Sequence, residues 1–286
     1  MSCEDKFTGA HDIININTLI MNSIISGLSI VATPIGNLDD ITSRAIHVIK
    51  ECDIIICENP KHSLKLLNKL GVKKKLVALH DYNEQNIIDK IKNFLENKKC
   101  VLISDAGSPL ISDPGYNLVQ YCINNNIQIT SIPGPSSIIS SLQLSGLPLS
   151  EFVFFGFIPK SKKKLEDLII KISEEEKTSI FFVSNHRLIG FLDSLHKLLP
   201  DRRVVVCKEL TKINESVFRG FPNSVQNTIL QKKEYLKGEF VIVLDGLKLK
   251  KHDFEEIELY REELEKMSTK FSLTDIVEIV HKFTNI

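Results

Sequence analysis

An α/β fold in two domains is predicted, the first built on a mainly parallel sheet and the second on a mixed one. Three observations carry this prediction. The chain has 286 residues, a length that as a prior holds about two domains. Short apolar runs alternate with segments of helical spacing from Leu28 onward, the pattern of parallel strands covered on both faces by helices. A basic segment, Pro159–Lys164, interrupts that pattern as a linker between two halves.

The elements follow in order. Leu28–Ala32 reads as a buried strand, and Ile41–Cys52 as a helix with Ile41, Ala45, Val48 and Ile49 on one face. Asp53–Cys57 is a second strand, and a helix near Leu64–Leu70 ends at Gly71. Leu76–Leu79 is strand-like, and Ile87, Ile88, Ile91 and Leu95 mark a helix face. Cys100–Ser104 and Ile127–Ile132 are strands, with a helix after Pro114 between them. In the second half, strands are expected at Phe152–Phe157, Ser179–Val183, Val204–Lys208, Glu215–Arg219 and Glu239–Leu244, the third and fourth as an antiparallel pair. Helices are expected at Leu165–Ile172, Leu188–Leu199 and Val225–Gln231. The domains expected are therefore 28–150 and 151–250, between a poorly ordered extension, 1–27, and a charged helical tail, 251–286.

Composition excludes several classes. With 43% hydrophobic and 25% charged residues, the chain is neither disordered nor collagen-like nor a small disulfide scaffold. The six cysteines form no CxxC or Cys/His ligand spacing and read as buried free thiols of a reducing cytosol. The apolar stretch from Ile13 to Val31 follows Glu4, Asp5 and Asp12, not a basic flank, and polar residues interrupt it. It reads as neither a signal peptide nor a membrane span. A cytoplasmic protein with no membrane partner is expected.

In an open parallel sheet, ligands bind beyond the carboxyl ends of the strands. Five such loops carry Gly, Pro or polar residues: Ala32–Leu38, Glu58–His62, His80–Glu84, Asp105–Gly115 and Pro133–Ser137. Together they point to a cleft at one sheet edge. There is no GxGxxG after the first strand and no GxxxxGK[ST], which disfavours a dinucleotide-binding or P-loop domain. His62 and His80 sit near carboxylates but in no HxxxH or HExxH pair, so no metal is expected and a structural histidine is the plain alternative.

At these loops the sequence resembles the family of ribosomal RNA small subunit methyltransferase I, of the tetrapyrrole methylase-like class. The resemblance rests on Val31–Thr42, Ala78–Glu84, Ser104–Pro109, Asp113–Tyr116 and Pro133–Ser136, then on Gly156–Lys160, His186–Leu188, Lys208–Lys212 and Lys237–Glu239. It covers about residues 28–246 in order. It implies two α/β domains with S-adenosylmethionine in the cleft between them, and a homodimer. It also implies 2′-O-methylation of the ribose of cytidine 1402 in 16S rRNA, as naked rRNA or within the 30S subunit. The sequence departs from the family pattern at two positions where an acid is usual, Asn59 and Val183.

The resemblance sets the cofactor against Ser104, Asp105, Ala106, Gly107 and Pro109, with Pro34, Leu210, Gly238 and Glu239 closing around it. Asp105 would hold the ammonium or orient the loop; Phe182 is read as core. Glu58, His80, Glu84 and Lys208 are the candidates for a base that takes the hydroxyl proton, a loop-tying hydrogen bond or an RNA contact being the alternative for each. Charge is unevenly spread: residues 156–250 hold 18 basic and 12 acidic side chains, residues 1–155 hold 13 and 15. Lys160, Lys162, Lys163, Lys164, Arg187, Lys212 and Arg219 are therefore candidate RNA contacts, Lys162–Lys164 being alternatively a solvated linker. The other functions weighed are a tetrapyrrole methylase and an RNA-binding ribosome-assembly factor without turnover.

Overall fold

The computed structural model describes residues 26–247, 261–272, 274–276 and 279. Residues 1–25 of the expected extension lie outside the described residues, and Gly27 opens the first strand, paired with Lys99.

The first lobe is a five-stranded parallel sheet in the order β3-β2-β4-β1-β5. Its strands are β1 (Gly27–Val31), β2 (Ile54–Cys57), β3 (Lys75–Ala78), β4 (Lys99–Ile103) and β5 (Ile129–Ile132). The apolar runs of β2 and β4 form because both of their faces are covered. On one face lie α1 (Ser43–Glu51) and α2 (Pro60–Lys69), whose Ala45, Val48, Ile49 and Leu67 pack on Val31, Ile55, Val101 and Ile103. On the other lie α3 (Glu84–Asn97) and α4 (Tyr116–Asn124), with Ile88, Ile91, Leu95, Leu118 and Cys122 against Leu28, Ile54, Ile56 and Leu102. Among the described residues, five cysteines are buried and free: Cys52, Cys57, Cys100, Cys122 and Cys207. Burial pushes the Cys207 thiol up to about 12, so these thiols act as small apolar side chains.

The second sheet is mixed, in the order β6-β7-β10-β8-β9. β6 (Phe152–Phe157) runs parallel to β7 (Thr178–Ser184). β10 (Glu239–Leu244) is antiparallel to β7 and to β8 (Val204–Lys208), and the expected antiparallel pair of β8 with β9 (Ser216–Gly220) is present. Alternation sorts its residues between two cores. Phe181, Val204, Val206, Phe240 and Ile242 face α6 (Lys162–Ser173), α7 (Asn185–Leu198) and α8 (Pro222–Leu230). Ile180, Val205, Cys207, Val241 and Val243 face α5 (Ser137–Ser145) and Ile35, both from the first half of the chain. That second core joins the lobes. In the charged tail, α9 spans Arg261–Ser268, and Ser272 and Asp275 exchange reciprocal capping hydrogen bonds.

α5 is a helix that the sequence pattern does not predict, and one expectation is corrected. The linker assigned to Pro159–Lys164 is half helix: Ser161 accepts the Lys164 N–H as an N-cap, and α6 begins at Lys162.

Candidate active site at the lobe junction

The site grows from the loops at the carboxyl ends of β1 and β4. Thr33 and Gly107 exchange backbone hydrogen bonds of 2.8 and 3.0 Å. The Thr33 hydroxyl donates to Ser104 O, and the Ser104 hydroxyl turns back onto Ala106 O and Gly107 O. Small residues are needed here because two chain segments meet with little space for side chains. Gly107 has φ +80°, in the left-handed region. Among the described residues, five non-glycine residues have positive φ: Leu110, Ser112, Asn126, Glu209 and Thr211. Asn126 lies in the turn after α4; the other four lie in the two loops that frame the junction, which is where strained backbone tends to serve function.

A cavity of about 560 Å³ opens there, within the usual size range of a small-ligand site. One wall is Asp105, Ala106, Gly107, Ser108, Ser136, Ser137 and Ile138; the other is Phe157, Phe182, Val183, Leu210, Gly238, Glu239, Phe240 and Val241. Phe182, expected as core, packs against the second core, edge-on to Phe154, and also lines the cavity. A second cavity of about 310 Å³ adjoins the first and shares Ile35, Asp105, Ala106 and Glu239 with it. Pro34, Gly36, His62, Lys65, Ser104 and Lys212 line this second space. A small recess holds Glu58, Ser104, Pro109 and Asp113.

The expected cofactor residues are thus brought together, with one exception. Asp105, Ala106, Gly107, Leu210, Gly238 and Glu239 line the main cavity; Pro34 and Ser104 face the second; Pro109 lies in the recess.

The four expected catalytic residues do not converge. Glu84 is 3% exposed and accepts hydrogen bonds from the Leu118 N–H and the Asn117 side chain, both at the start of α4. The α3–α4 contact uses both of its oxygens, so it is corrected to a structural residue. Lys208 is buried and donates to Asn214 O inside the β8–β9 hairpin. His80 stacks on Tyr82, with ring centroids 5.2 Å apart. None of these three lines the main cavity, the second cavity or the recess. Glu58 does line the recess, and burial, followed by the negative charge of Asp105, raises its pKa.

Asp113, beside Glu58, is pushed up to about 6, first by burial and then by the Glu58 charge. Its folded pKa lies above the ordinary aspartate value, so its ionisation destabilises the fold as pH rises through about 6. Asp113→Asn is therefore expected to raise the melting temperature at pH 8, a gain that shrinks as pH falls below about 6 and vanishes only below the ordinary aspartate value of 3.8, where the wild-type carboxyl is protonated in both states. Thermal unfolding of both proteins across that range checks the sign.

Three of the expected RNA contacts are engaged by the protein itself. The Arg187 guanidinium donates to Ile158 O and Pro159 O and so holds the β6–α6 turn. Arg219 donates to Leu144 O at the end of α5. Lys212 lies 2.9 Å from both Glu209 Oε1 and Glu239 Oε2. Burial opposes the Glu209 charge, but hydrogen bonds from Lys212 and from the Glu239 N–H outweigh it and hold the carboxyl below the usual range. Lys160, Lys162, Lys163 and Lys164 remain exposed at the start of α6.

Sequence reasoning missed two features. Glu209 lies within the Lys208–Lys212 motif, but nothing local shows that its carboxylate bridges Lys212 and the Glu239 N–H. His62, for which a structural role is one of the readings, sits 3.6 Å from Asp105. It is placed by Asn59, whose side chain accepts from the Lys61 and His62 N–H groups, with Pro60 at the first helical position of α2. The departure at Asn59 thus has a structural use as a helix cap.

Comparison with known proteins fits this architecture. The family model for Tetrapyrrole (Corrin/Porphyrin) Methylases matches residues 27–223. Ribosomal RNA small subunit methyltransferase I of Thermotoga maritima is 40% identical over 220 residues, covering 77% of this chain and 98% of that protein. The protein of the same name from Vibrio cholerae is 41% identical, covering 77% of each. Among solved structures, a diphthine synthase superposes with a TM-score of 0.61 at 18% identity, over 83% of this chain and 95% of that one. Uroporphyrin-III-C-methyltransferase of Thermus thermophilus gives 0.52 at 16% identity, over 77% and 94%; both show the fold alone. The chain belongs to the tetrapyrrole methylases and, within them, to the ribosomal RNA small subunit methyltransferase I family.

Proposed function

We propose that this protein methylates 16S rRNA of the small ribosomal subunit with S-adenosylmethionine, at the ribose 2′-oxygen of cytidine 1402. The observation that carries the reading is the 40% identity that extends over 98% of the Thermotoga maritima relative. The main cavity supports it with a donor set suited to the cofactor. Phe157, Phe182, Val183 and Val241 offer an apolar wall for a flat heterocycle, and the Asp105–Gly107 loop offers polar groups for an amino-acid end. The Asp105 carboxylate in that loop would face the cofactor's ammonium. Bound there, S-adenosylmethionine supplies an electrophilic methyl group on a sulfonium whose departure as a thioether removes a charge.

The protein's task in such a displacement is alignment. Ile35, Gly107 and Leu210 close on the cavity from three sides. The Lys212 bridge between Glu209 and Glu239 fixes the loop that carries Leu210. The same reading makes the protein a homodimer that acts on the 30S subunit. An accessible, single-stranded or distorted ribose suits a cleft of this kind.

Lys162, Lys163 and Lys164 are exposed cations at the start of α6; Lys162 has an exposed contact of 3.9 Å with Glu166, which counts for little. Replacing all three with alanine is expected to weaken 30S binding and flatten its salt dependence by up to about one unit per lost phosphate contact. S-adenosylmethionine affinity should be unchanged, since none of the three lines the cavities. An unchanged salt slope would make the run a solvated helix start only.

The reading is tested by offering labelled S-adenosylmethionine with 30S subunits, naked 16S rRNA or a tetrapyrrole. Label in the RNA supports it. Label in the tetrapyrrole alone would move the protein to another branch of the fold, and 30S binding without transfer would make it an assembly factor.

A further inference from the structure

We propose that the second cavity takes the acceptor ribonucleotide, and that His62, held by Asp105, accepts the 2′-hydroxyl proton. The inference rests on the methyl-transfer reading above and supplies the base that Glu84, Lys208 and His80 do not.

Geometry carries it. The second cavity shares Ile35, Asp105, Ala106 and Glu239 with the main one, so a ligand in each would meet across that shared wall. At the shared wall, His62 Nδ1 lies 3.6 Å from Asp105 Oδ1. That oxygen is shielded from water yet accepts no hydrogen bond. A buried acceptor without a donor is costly, and closing the gap to the ring N–H by a few tenths of an ångström removes the cost. Catalytic hydrogen bonds commonly tighten in this way only when substrate binds. A carboxylate on Nδ1–H fixes the tautomer and leaves Nε2 as the basic nitrogen.

The surroundings suit a nucleotide. Lys65 lines the same cavity and has no acidic partner within ion-pair distance among the described residues, which leaves its ammonium for a phosphate. Lys212, the other lysine on the wall, is held by Glu209 and Glu239. Asn59 caps α2 and pins the His62 N–H, so the imidazole projects from a fixed helix start.

The step balances. The 2′-oxygen forms a bond to the methyl carbon, and the sulfur–methyl bond breaks with its electron pair returning to sulfur. The hydroxyl proton passes to His62 Nε2. The imidazolium so formed faces the Asp105 carboxylate. Because the His62 side chain is 45% exposed, it returns the proton to water once product leaves.

The test is single-turnover methyl transfer to 30S subunits at saturating S-adenosylmethionine, with wild type, His62→Ala, His62→Gln and Lys65→Ala. His62→Ala and His62→Gln are expected to slow transfer by about 10²–10⁴-fold, with 30S and cofactor affinities within about threefold of wild type. Added imidazole should restore part of the His62→Ala rate. Lys65→Ala should weaken 30S affinity about tenfold. A folded His62→Gln protein at the wild-type rate would overturn the proposal. So would a rate loss in His62→Ala that imidazole does not relieve. Absence of transfer by the wild type would refute the methyl-transfer reading itself, a distinct result.

Discussion

Gly107→Val is expected to weaken S-adenosylmethionine binding by about 10–100-fold, or roughly 1.4–2.8 kcal/mol. Two effects add. Gly107 has φ +80°, and a side chain in the left-handed region costs about 1–2 kcal/mol. A Cβ there would lie 3.3 Å from the Ile35 Cγ2 methyl, tighter than ordinary contact, and the two further methyls of valine must find space in the loop that lines the main cavity. Gly71 is the control: its φ is +67° and nothing lies within 4 Å of an added Cβ. Gly71→Val should carry similar backbone strain with no loss of cofactor affinity. Calorimetric titration of both variants separates strain from site. Wild-type affinity in folded Gly107→Val would remove this loop from the cofactor site.

Gly36→Ala is expected to lower both stability and the rate of methyl transfer. The added Cβ would come within 2.7 Å of Leu210 O and Thr211 Oγ1 and 2.5 Å of Lys212 Cγ. The Lys212 side chain can move, but the backbone oxygen cannot without shifting the loop. That loop receives the Asn37 N–H on the Thr211 hydroxyl, a 2.9 Å bond between the lobes. Overpacking of this kind costs about 1–3 kcal/mol, or roughly 2–10 °C in melting temperature for a chain of this size. The rate should fall at least about tenfold, because the first loop and the Leu210 loop both line the main cavity and misplacement by about 1 Å is expensive in an aligned displacement. A variant with wild-type melting temperature and rate would show that the two loops separate freely in solution.

The strands were legible because burial on both faces writes itself as unbroken apolar runs, as in Ile54–Cys57 and Cys100–Ile103. Elements whose partners are distant were not. α5 is rich in serine, which argues against a buried helix, yet Ser141 and Ser145 donate to carbonyls of their own helix and so enter the core satisfied. Glu84 shows the same limit at the site. An acid after a strand in a cleft loop suggests chemistry, and only the fold shows Leu118, 34 residues on, holding its carboxylate. Arg187 and Arg219 read as RNA contacts by charge alone, but they hold backbone carbonyls. The cofactor loops fared better because small residues at strand ends are a local requirement of close backbone approach. His62 was visible as a residue and invisible as a partner, since Asp105 meets it only through the β2–β4 pairing.

The proposed reaction is transfer of one methyl group to the ribose of cytidine 1402. It is tested most directly by mass mapping of 16S rRNA from cells lacking the gene, with and without complementation. The account predicts that the ribose methyl at cytidine 1402 disappears in the deletion and returns with the wild-type gene, but not with Gly107→Val. Unchanged ribose methylation at that nucleotide in the deletion would contradict it.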